Sequence, residues 1–310
     1  MRKIWENNRA YRIMKVYADL CTRSCFRSVR IEGLENIPQD GAVILAPNHC
    51  AAMMDPMLVL LTRKGPVAFG ARSDIFARPA IARILRWLRI VPIARERNGL
   101  QEVAKNYEVF DEIVDCLDHE VPFCLYSEGT HRAERGMLPV KKGIFRIARL
   151  ALDKLGRPVR VVPVGIDYEY FFRGQGRVAL RIGEAIDIGA FFAAHAELPE
   201  PAVYRELCAE LQRRDLALIG RLPERRRDRL LPRSIGAVAS LPLFALCAAG
   251  SLPVWLPHLI ILSTMEDKAW SHTVRFVLHF FFPLLWPFHI GFERLLNHYR
   301  NLAEDFRKQA

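Results

Sequence analysis

The amino-acid sequence predicts an α/β fold in which a mixed, partly parallel sheet is flanked by helices. Strand-like apolar runs alternate with helix-length amphipathic stretches through residues 31–220, and this alternation is typical of a layered α/β domain. An amphipathic segment precedes this region in residues 1–30, and a basic linker with an apolar region follows it in residues 221–310. Apolar residues make up 51% of the 310 residues, which excludes a disordered chain. We therefore expect one α/β domain between an N-terminal amphipathic helix and a C-terminal apolar helical hairpin.

Residues 1–30 predict an amphipathic helix. The apolar residues that recur on one face at helical spacing are Ile13, Met14, Tyr17, Leu20 and Cys21. Arginine and lysine residues flank this face, so the helix is suited to lie flat in a membrane interface. Packing of the same helix on the surface of the domain is the alternative interpretation. No secretory signal peptide is expected, because the segment lacks a continuous apolar core.

Residues 31–220 supply the alternating elements of the predicted sheet. The apolar runs 42–46, 121–126 and 159–166 are short enough to be buried strands. The amphipathic stretches between and after them are 52–63, 76–90, 99–117 and 143–156. In this architecture the loops that leave the strand ends usually carry the chemistry.

Residues 221–310 change in character at an arginine-rich run. Two uncharged stretches follow, 234–265 and 276–292, and each is about long enough to cross a bilayer, which takes roughly 20 residues. Five prolines interrupt these stretches, so broken or re-entrant helices fit the sequence as well as two straight spans. A buried helical cap of a soluble protein is a further alternative. Basic residues on both flanks predict a hairpin whose two ends lie on the cytoplasmic side.

The net charge of +11 favours a polyanionic partner such as nucleic acid, anionic lipid or a phosphorylated substrate. The charged residues are not interleaved with aromatic ones, and the C-terminal region is apolar, so we expect no nucleic-acid partner. The seven cysteines form no C-x-x-C pair. Their thiols are therefore expected to be reduced, and no metal site is predicted.

The segment APNHCAAMMDP, residues 46–56, is the most informative for chemistry. A predicted strand ends at Pro47, His49 lies on the following turn, and Asp55 comes six residues after the histidine. A carboxylate at this spacing can accept a hydrogen bond from one imidazole nitrogen and leave the other free as a base. A structural His–Asp pair is the plain alternative. A Cys50 thiolate activated by His49 is a rival, although adjacent side chains point in different directions.

The segment LYSEGTHRAERG, residues 125–136, is a second candidate site. A predicted strand ends in a turn of small residues at Glu128, Gly129 and Thr130. The cationic or protonatable residues that follow are His131, Arg132 and Arg135. Exposed backbone N–H groups beside cations suit an anionic or polyhydroxyl ligand. An ordinary polar turn is the alternative.

Two further segments add positive charge. Lys141 and Lys142 precede Gly143 at the start of an amphipathic helix, where the ammonium groups and the helix dipole both favour an anion. Arg95 follows a short apolar strand in residues 89–99. Each is also compatible with an ordinary solvated surface, and Arg95 matters only if it faces the same cleft as His49.

Taken in order, these blocks resemble the glycerolipid acyltransferases, which include the glycerol-3-phosphate and 1-acylglycerol-3-phosphate acyltransferases. The resemblance covers roughly residues 30–190 and extends to VVPVGI at 161–166. Two departures stand out. Five residues separate His49 from Asp55 where the family usually has four, a form that is similar to a bacterial branch with a longer C-terminal apolar region. The third block lacks the usual proline and has His131 after Thr130, which leaves the headgroup of the acceptor open.

The resemblance implies acyl transfer from a thioester of coenzyme A or acyl carrier protein to a hydroxyl of glycerol 3-phosphate or of its monoacyl derivative, lysophosphatidic acid. His49 would remove the hydroxyl proton and Asp55 would orient the imidazole. The residues that would contribute to substrate binding are Asn48, Arg95, Glu128, Gly129, Thr130, Arg132, Lys141 and Lys142. No cofactor is expected.

The same resemblance leaves two other functions open. One is a lysophospholipid acyltransferase or transacylase that uses a different headgroup, and the other is a non-catalytic membrane protein that binds lipid. Membrane lipids are the expected partners in each case. We expect the catalytic region to lie on the cytoplasmic face of a bacterial inner membrane.

Overall fold

The computed structural model of the chain describes residues 3–6, 8–94, 106–222 and 230–308. It confirms the predicted fold class, because a mixed sheet of eight strands lies between helices, with further helices at the C-terminus. The strands are β1 (Ser28–Glu32), β2 (Ala42–Pro47), β3 (Ala68–Arg72), β4 (Ile90–Ile93), β5 (Phe123–Cys124), β6 (Val159–Tyr168), β7 (Arg177–Ile182) and β8 (Ile186–Asp187). Among the described residues the helices number eleven.

The helices before and around the sheet are α1 (Arg9–Ser24), α2 (Met54–Leu60), α3 (Pro79–Trp87), α4 (Asn106–Asp118), α5 (Gly143–Leu155), α6 (Ile188–Ala194) and α7 (Glu200–Leu218). Those after the sheet are α8 (Leu230–Ala239), α9 (Leu241–Thr264), α10 (Ser271–Phe281) and α11 (Trp286–Arg307). The three apolar runs chosen from the sequence all contain strands, although only Phe123–Cys124 of the run 121–126 is paired. The predicted helix over 99–117 begins within the residues that are not described.

The sheet has the strand order β1-β7-β6-β2-β5-β3-β4, with β8 paired to β6. The β6 strand is antiparallel to β7 and β8, and all other pairs are parallel. Strand β2 is buried along its whole length, which explains its continuous apolar sequence. Successive residues of β2 point to opposite faces, so Ile44 packs with α4, α5 and α7 while Leu45 packs with α1 and α2.

Helix α1 lies within the predicted amphipathic segment, and its predicted apolar face is partly buried and partly exposed. Cys21 is fully buried against the sheet, whereas Ile13 and Leu20 are 73% and 54% exposed. The buried side of the helix contains Tyr11, Lys15 and Thr22 instead. The helix thus packs on the domain through one side and presents an exposed apolar strip on another, so both interpretations of the segment stay compatible with the structure.

The C-terminal region forms packed helices rather than two straight spans. Helix α9 continues through Pro253 and Pro257 and packs on α10 and α11. The second uncharged stretch breaks at Phe282, where α10 and the segment that follows meet at 105°. In the described part of the chain, α9 alone is long and apolar enough to cross a membrane, and the bent pair would add a second span only if it were counted as one.

Candidate active site

The loop between β2 and α2 places His49 beside Asp55. The five-residue spacing is accommodated before the helix starts, because Ala52 adopts a left-handed conformation with φ 44° and α2 begins only at Met54. The Asp55 Oδ2 atom accepts hydrogen bonds from the backbone N–H groups of Cys50 and Ala51, both at 2.8 Å. The same oxygen lies 2.7 Å from His49 Nδ1. One carboxylate oxygen thus fixes both the turn and the ring.

Asp55 is fully buried, and its second oxygen is bonded as well. The Tyr168 hydroxyl donates to Asp55 Oδ1 at 2.6 Å. Burial raises the pKa of the Tyr168 phenol well above its usual value, so the phenol remains a donor. With this carboxylate surrounded by donors, we assign the proton of the neutral His49 ring to Nδ1, which leaves Nε2 with a lone pair.

Asn48 and Cys50 on the same loop are turned away from the groove described below. Asn48 is buried; its side chain accepts from the backbone N–H of Ile166 at 2.7 Å and donates to the carbonyl of Ile166 at 3.1 Å. It therefore ties the end of β2 to β6. The Cys50 Sγ atom accepts from Asn48 Nδ2 at 3.0 Å, and burial raises the pKa of this thiol. A buried, protonated thiol does not suit the nucleophile role that competed with His49.

Glu128 fastens two loops together at the site. Its Oε1 atom accepts from the backbone N–H of His49 and its Oε2 atom from that of Leu138, both at 2.6 Å. Desolvation raises the pKa of the Glu128 carboxyl, while these two hydrogen bonds favour the charged form. Gly129 follows with φ 73°, a left-handed conformation that glycine adopts without strain.

A groove of about 2450 Å³ runs along the carboxyl-terminal edge of the sheet, and His49 and Glu128 are among the residues that line it. Of the residues predicted from sequence, those that line it are His49, Glu128, Gly129, Thr130, Lys141 and Lys142. Asn48 and Asp55 lie behind this lining. Arg132 pairs with Glu134 at 3.2 Å and contributes its backbone N–H to the His49 carbonyl. Arg95 lies outside the described residues.

The groove has two chemically different limbs. We call the side between α1, α2, α3 and α10 the apolar limb; among the residues that line it are Met14, Met57, Ile84, Trp87, Phe276 and Phe280. The side along α5 and α7 is the basic limb, lined by Lys141, Lys142, Arg146, Arg149 and Arg205. The volume exceeds that of a typical small-molecule pocket, about 300–1,000 Å³. Such a groove can hold a long amphiphile with one charged end.

Two site residues, Tyr168 and Asp267, were not found from the sequence alone. Tyr168 ends the strand that contains the fourth block, and the parallel pairing of β2 with β6 brings it to the same sheet edge as Pro47. The place of Tyr168 at the end of this strand could therefore have predicted that it lies near the site. His131 was noticed as a departure from the family pattern, but its partner Asp267 lies 136 residues later, with Nε2 to Oδ2 at 2.6 Å. No local pattern indicates that pairing.

The described residues contain no group of three or more histidine, cysteine or acidic side chains arranged to hold a metal ion. The seven cysteines, all of which fall within the described residues, are free thiols, as the sequence predicted. What the geometry offers is an imidazole held by a buried carboxylate at the edge of an amphiphilic groove.

Two comparisons with known proteins find similarities to this chain. Residues 28–167 match the family described as Acyltransferase. One similar solved structure is the 1-acyl-sn-glycerophosphate (LPA) acyltransferase PlsC from Thermotoga maritima, at 24% sequence identity and a TM-score of 0.48; the likeness covers 67% of this chain and 78% of that chain. A comparison with curated proteins finds no match. The matched residues contain the His49 loop, the Glu128 turn and all of β6 except Tyr168, so this part of the chain is similar to the acyltransferase family.

Proposed function

We propose that this protein transfers a fatty acyl group from a thioester, carried on coenzyme A or acyl carrier protein, to a hydroxyl of glycerol 3-phosphate or 1-acylglycerol 3-phosphate in phospholipid synthesis. The observation that carries the proposal is the His49–Asp55 pair. His49 lines the groove, and its Nδ1 is engaged by a fully buried carboxylate. Nε2 is then the ring atom available to a substrate hydroxyl.

The chemistry follows from that arrangement. His49 Nε2 takes the hydroxyl proton as the oxygen attacks the thioester carbonyl, and Asp55 stabilises the imidazolium that forms. When the tetrahedral intermediate collapses, the C–S bond breaks and the thiolate takes the proton from His49. An ester and a free thiol are the products, and the histidine returns to its starting state.

The two limbs of the groove suit the two ends of the substrates. The apolar limb offers methionine, isoleucine, tryptophan and phenylalanine side chains to a fatty-acyl chain. The basic limb offers ammonium and guanidinium groups to phosphates, which both the carrier and the acceptor bear. Glu128, Gly129 and Thr130 line the same groove, with Glu128 bonded to the backbone of His49, and we assign them to the acceptor site.

We further propose that the protein is bound to a membrane, with its catalytic region on the cytoplasmic side. The exposed apolar side chains of α9 include Leu243, Leu246, Leu252, Leu256 and Ile260. Contiguous exposure of this kind marks a membrane or protein interaction surface. Donor and product are both amphiphiles, so a groove beside the bilayer lets the acyl chain enter and leave without crossing water.

The test is an acceptor panel with purified protein and labelled acyl-CoA, in which the labelled lipid identifies the acceptor. Replacement of the general base in His49→Ala should reduce kcat by roughly 10²–10⁴-fold or more and leave the fold intact. His195→Ala is the matched control, since His195 is half-buried and does not line the groove. Full activity of His49→Ala would overturn the mechanism.

The same panel decides the second candidate. His131 stands where the family usually has another residue after Thr130. This difference favours an acyl acceptor with a different headgroup. The label could enter only lysophospholipids whose phosphate is esterified to a headgroup alcohol, and not the two glycerol phosphates. That result would identify a lysophospholipid acyltransferase. Absence of thioester turnover with every acceptor would select a non-catalytic lipid-binding protein.

A further inference from the structure

His131 is held in the groove by the C-terminal region. Asp267 accepts from His131 Nε2 at 2.6 Å through Oδ2, while its Oδ1 atom accepts from the backbone N–H of Ala269 at 2.9 Å. The second bond orients the carboxylate at the start of a short turn, Lys268–Trp270. The Trp270 ring meets the His131 ring edge-on, with centroids 6.1 Å apart. The imidazole is therefore positioned by two residues, Asp267 and Trp270, that lie far from it in the sequence.

This second imidazole lies beside the first. The ring centroids of His49 and His131 are 5.2 Å apart at an interplanar angle of 69°, and both rings line the groove. The His131 side chain is only 22% exposed. Among the described residues none is hydrogen-bonded to its Nδ1 atom, which leaves this nitrogen without a protein partner there. A ring that is bonded at one nitrogen to a carboxylate presents the other nitrogen in a fixed direction.

The wall around His131 is suited to an anion. Lys141 is exposed and lines the groove. Its Cγ atom lies 4.0 Å from the position that a Cβ atom on Gly129 would occupy, so the side chain runs past this turn. Gly129 precedes His131 by two residues. The Lys141 side chain therefore passes the turn that precedes His131, and it brings a positive charge to the groove that His49 also lines.

We propose that His131, positioned by Asp267, is a specificity-determining residue that binds the headgroup phosphate of the acyl acceptor. The inference rests on the proposed acyltransferase function and goes beyond it in making the C-terminal region a part of the acceptor site. Protonated His131 donates from Nδ1 to a phosphate oxygen, and Asp267 balances the charge of the ring. An acceptor that lacks the phosphate gains nothing from this pair.

The experiment uses full-length protein and two short-chain probes, 1-hexanoylglycerol 3-phosphate and 1-hexanoylglycerol, which differ only in the phosphate. Equilibrium dissociation constants are measured for the wild type, Asp267→Asn and His131→Phe, each in the His49→Ala background so that no turnover occurs. Asp40→Asn is the matched control, because Asp40 is an exposed carboxylate paired with Arg160 away from the groove.

Loss of a charge-assisted hydrogen bond should weaken binding of the phosphate probe by about 10- to 100-fold in His131→Phe, and by a smaller factor in Asp267→Asn. Binding of the probe without phosphate should change by less than about twofold. Unchanged binding of the phosphate probe, or equal weakening for both probes, would overturn the proposal and leave His131–Asp267 as a structural clamp. Failure of the wild type to turn over any thioester would instead count against the proposed function, which separates the two results.

In active protein, Asp267→Asn should raise KM for the acceptor and leave kcat and the KM of the acyl donor nearly unchanged. A purely structural pair would lower the melting temperature and kcat together. The near-isosteric amide keeps the side-chain volume, so this variant remains informative even if His131→Phe folds poorly.

Discussion

At the scale of single residues, Asp55 is the group on which the site depends. It is fully buried, and donors reach both of its oxygens from the loop, from His49 and from Tyr168 on the neighbouring strand. A buried carboxylate costs free energy unless it is hydrogen-bonded. Each donor therefore stabilises the ionised form that holds the His49 ring.

Tyr168→Phe should lower kcat by about tenfold and destabilise the fold by about 1–3 kcal/mol, because Asp55 Oδ1 loses its donor in a buried environment. Steady-state kinetics and urea unfolding check the two effects. Tyr170→Phe is the control, since that hydroxyl donates to Asn301 and does not touch Asp55. Equal effects of the two variants on kcat would contradict a positioning role for Tyr168.

Glu128 acts through the backbone rather than through a free carboxylate, and its protonation should be visible in stability. Burial raises the folded-state pKa of Glu128, so its ionisable contribution is fully present below the unfolded pKa and is lost as pH rises through the folded pKa. The free energy of unfolding of wild type minus that of Glu128→Gln should therefore be larger near pH 4 than near pH 8.

The glutamine variant should also lose kcat, because its NH₂ group cannot accept from one of the two backbone donors, His49 or Leu138. Urea unfolding at a series of pH values provides the measurement. Glu134→Gln serves as the control on the same loop, because Glu134 is exposed. A pH-independent difference between wild type and Glu128→Gln would show that burial does not shift this carboxyl.

At the scale of elements, α1 has two apolar surfaces with different uses. Met14 and Ala18 line the groove, whereas Ile13, Val16 and Leu20 form a strip that is exposed at 73%, 69% and 54%. The strip follows the helical spacing i, i+3, i+7, so its side chains share one face. We therefore propose that this strip, beside the groove that we assign to the acyl chain, lies at a membrane surface.

Replacement of Ile13, Val16 and Leu20 together by glutamine should reduce partitioning into lipid vesicles by roughly tenfold or more, given about 25 cal/mol per Å² of apolar area removed from water. Vesicle co-sedimentation measures the effect, and circular dichroism should show an unchanged fold because the three residues are exposed. Leu216→Gln, at an exposed leucine on α7, should leave partitioning nearly unaltered. Undiminished binding of the triple variant would place the membrane surface elsewhere, with α9 the first alternative.

At the scale of the whole molecule, charge and apolar exposure act together. The chain carries a net charge of +11, and exposed apolar side chains occur on α1, α3, α9 and the turn after α10. Anionic lipid would attract the charge while the apolar strips enter the interface, at about 1 kcal/mol per basic residue near the surface. Both contributions would favour a membrane rather than nucleic acid as the polyanionic partner.

Association with anionic vesicles should therefore fall steeply between about 0.01 M and 1 M salt, as the Debye length shortens from about 30 Å to about 3 Å. Association with zwitterionic vesicles should change little, because it depends on the apolar strips. Flotation assays at several salt concentrations distinguish the two. Salt-independent binding to anionic vesicles would show that the net charge plays no part.

Sequence patterning was sufficient for the local parts of the fold and of the site. The run Ala42–Pro47, its alternation with helical segments and the spacing from His49 to Asp55 all act over a few residues, where geometry follows from backbone periodicity. The extra residue before Asp55 was expected to be taken up in the turn, and Ala52 adopts the left-handed conformation there. Periodicity placed Ile13 and Leu20 on one face of α1, but tertiary packing alone decides which side of the helix is buried.

By itself, the sequence determined the strand–turn–helix unit that brings an imidazole next to a carboxylate, since both side chains belong to one short segment. Only the tertiary structure decided which groups surround that pair. The parallel register of β2 with β6 brings Tyr168 to Asp55, and the packing of the C-terminal helices brings Asp267 and Trp270 to His131. Those partners lie more than 100 residues away in the chain, and contacts at that separation are fixed by sheet pairing and helix packing, which no local pattern of residues encodes.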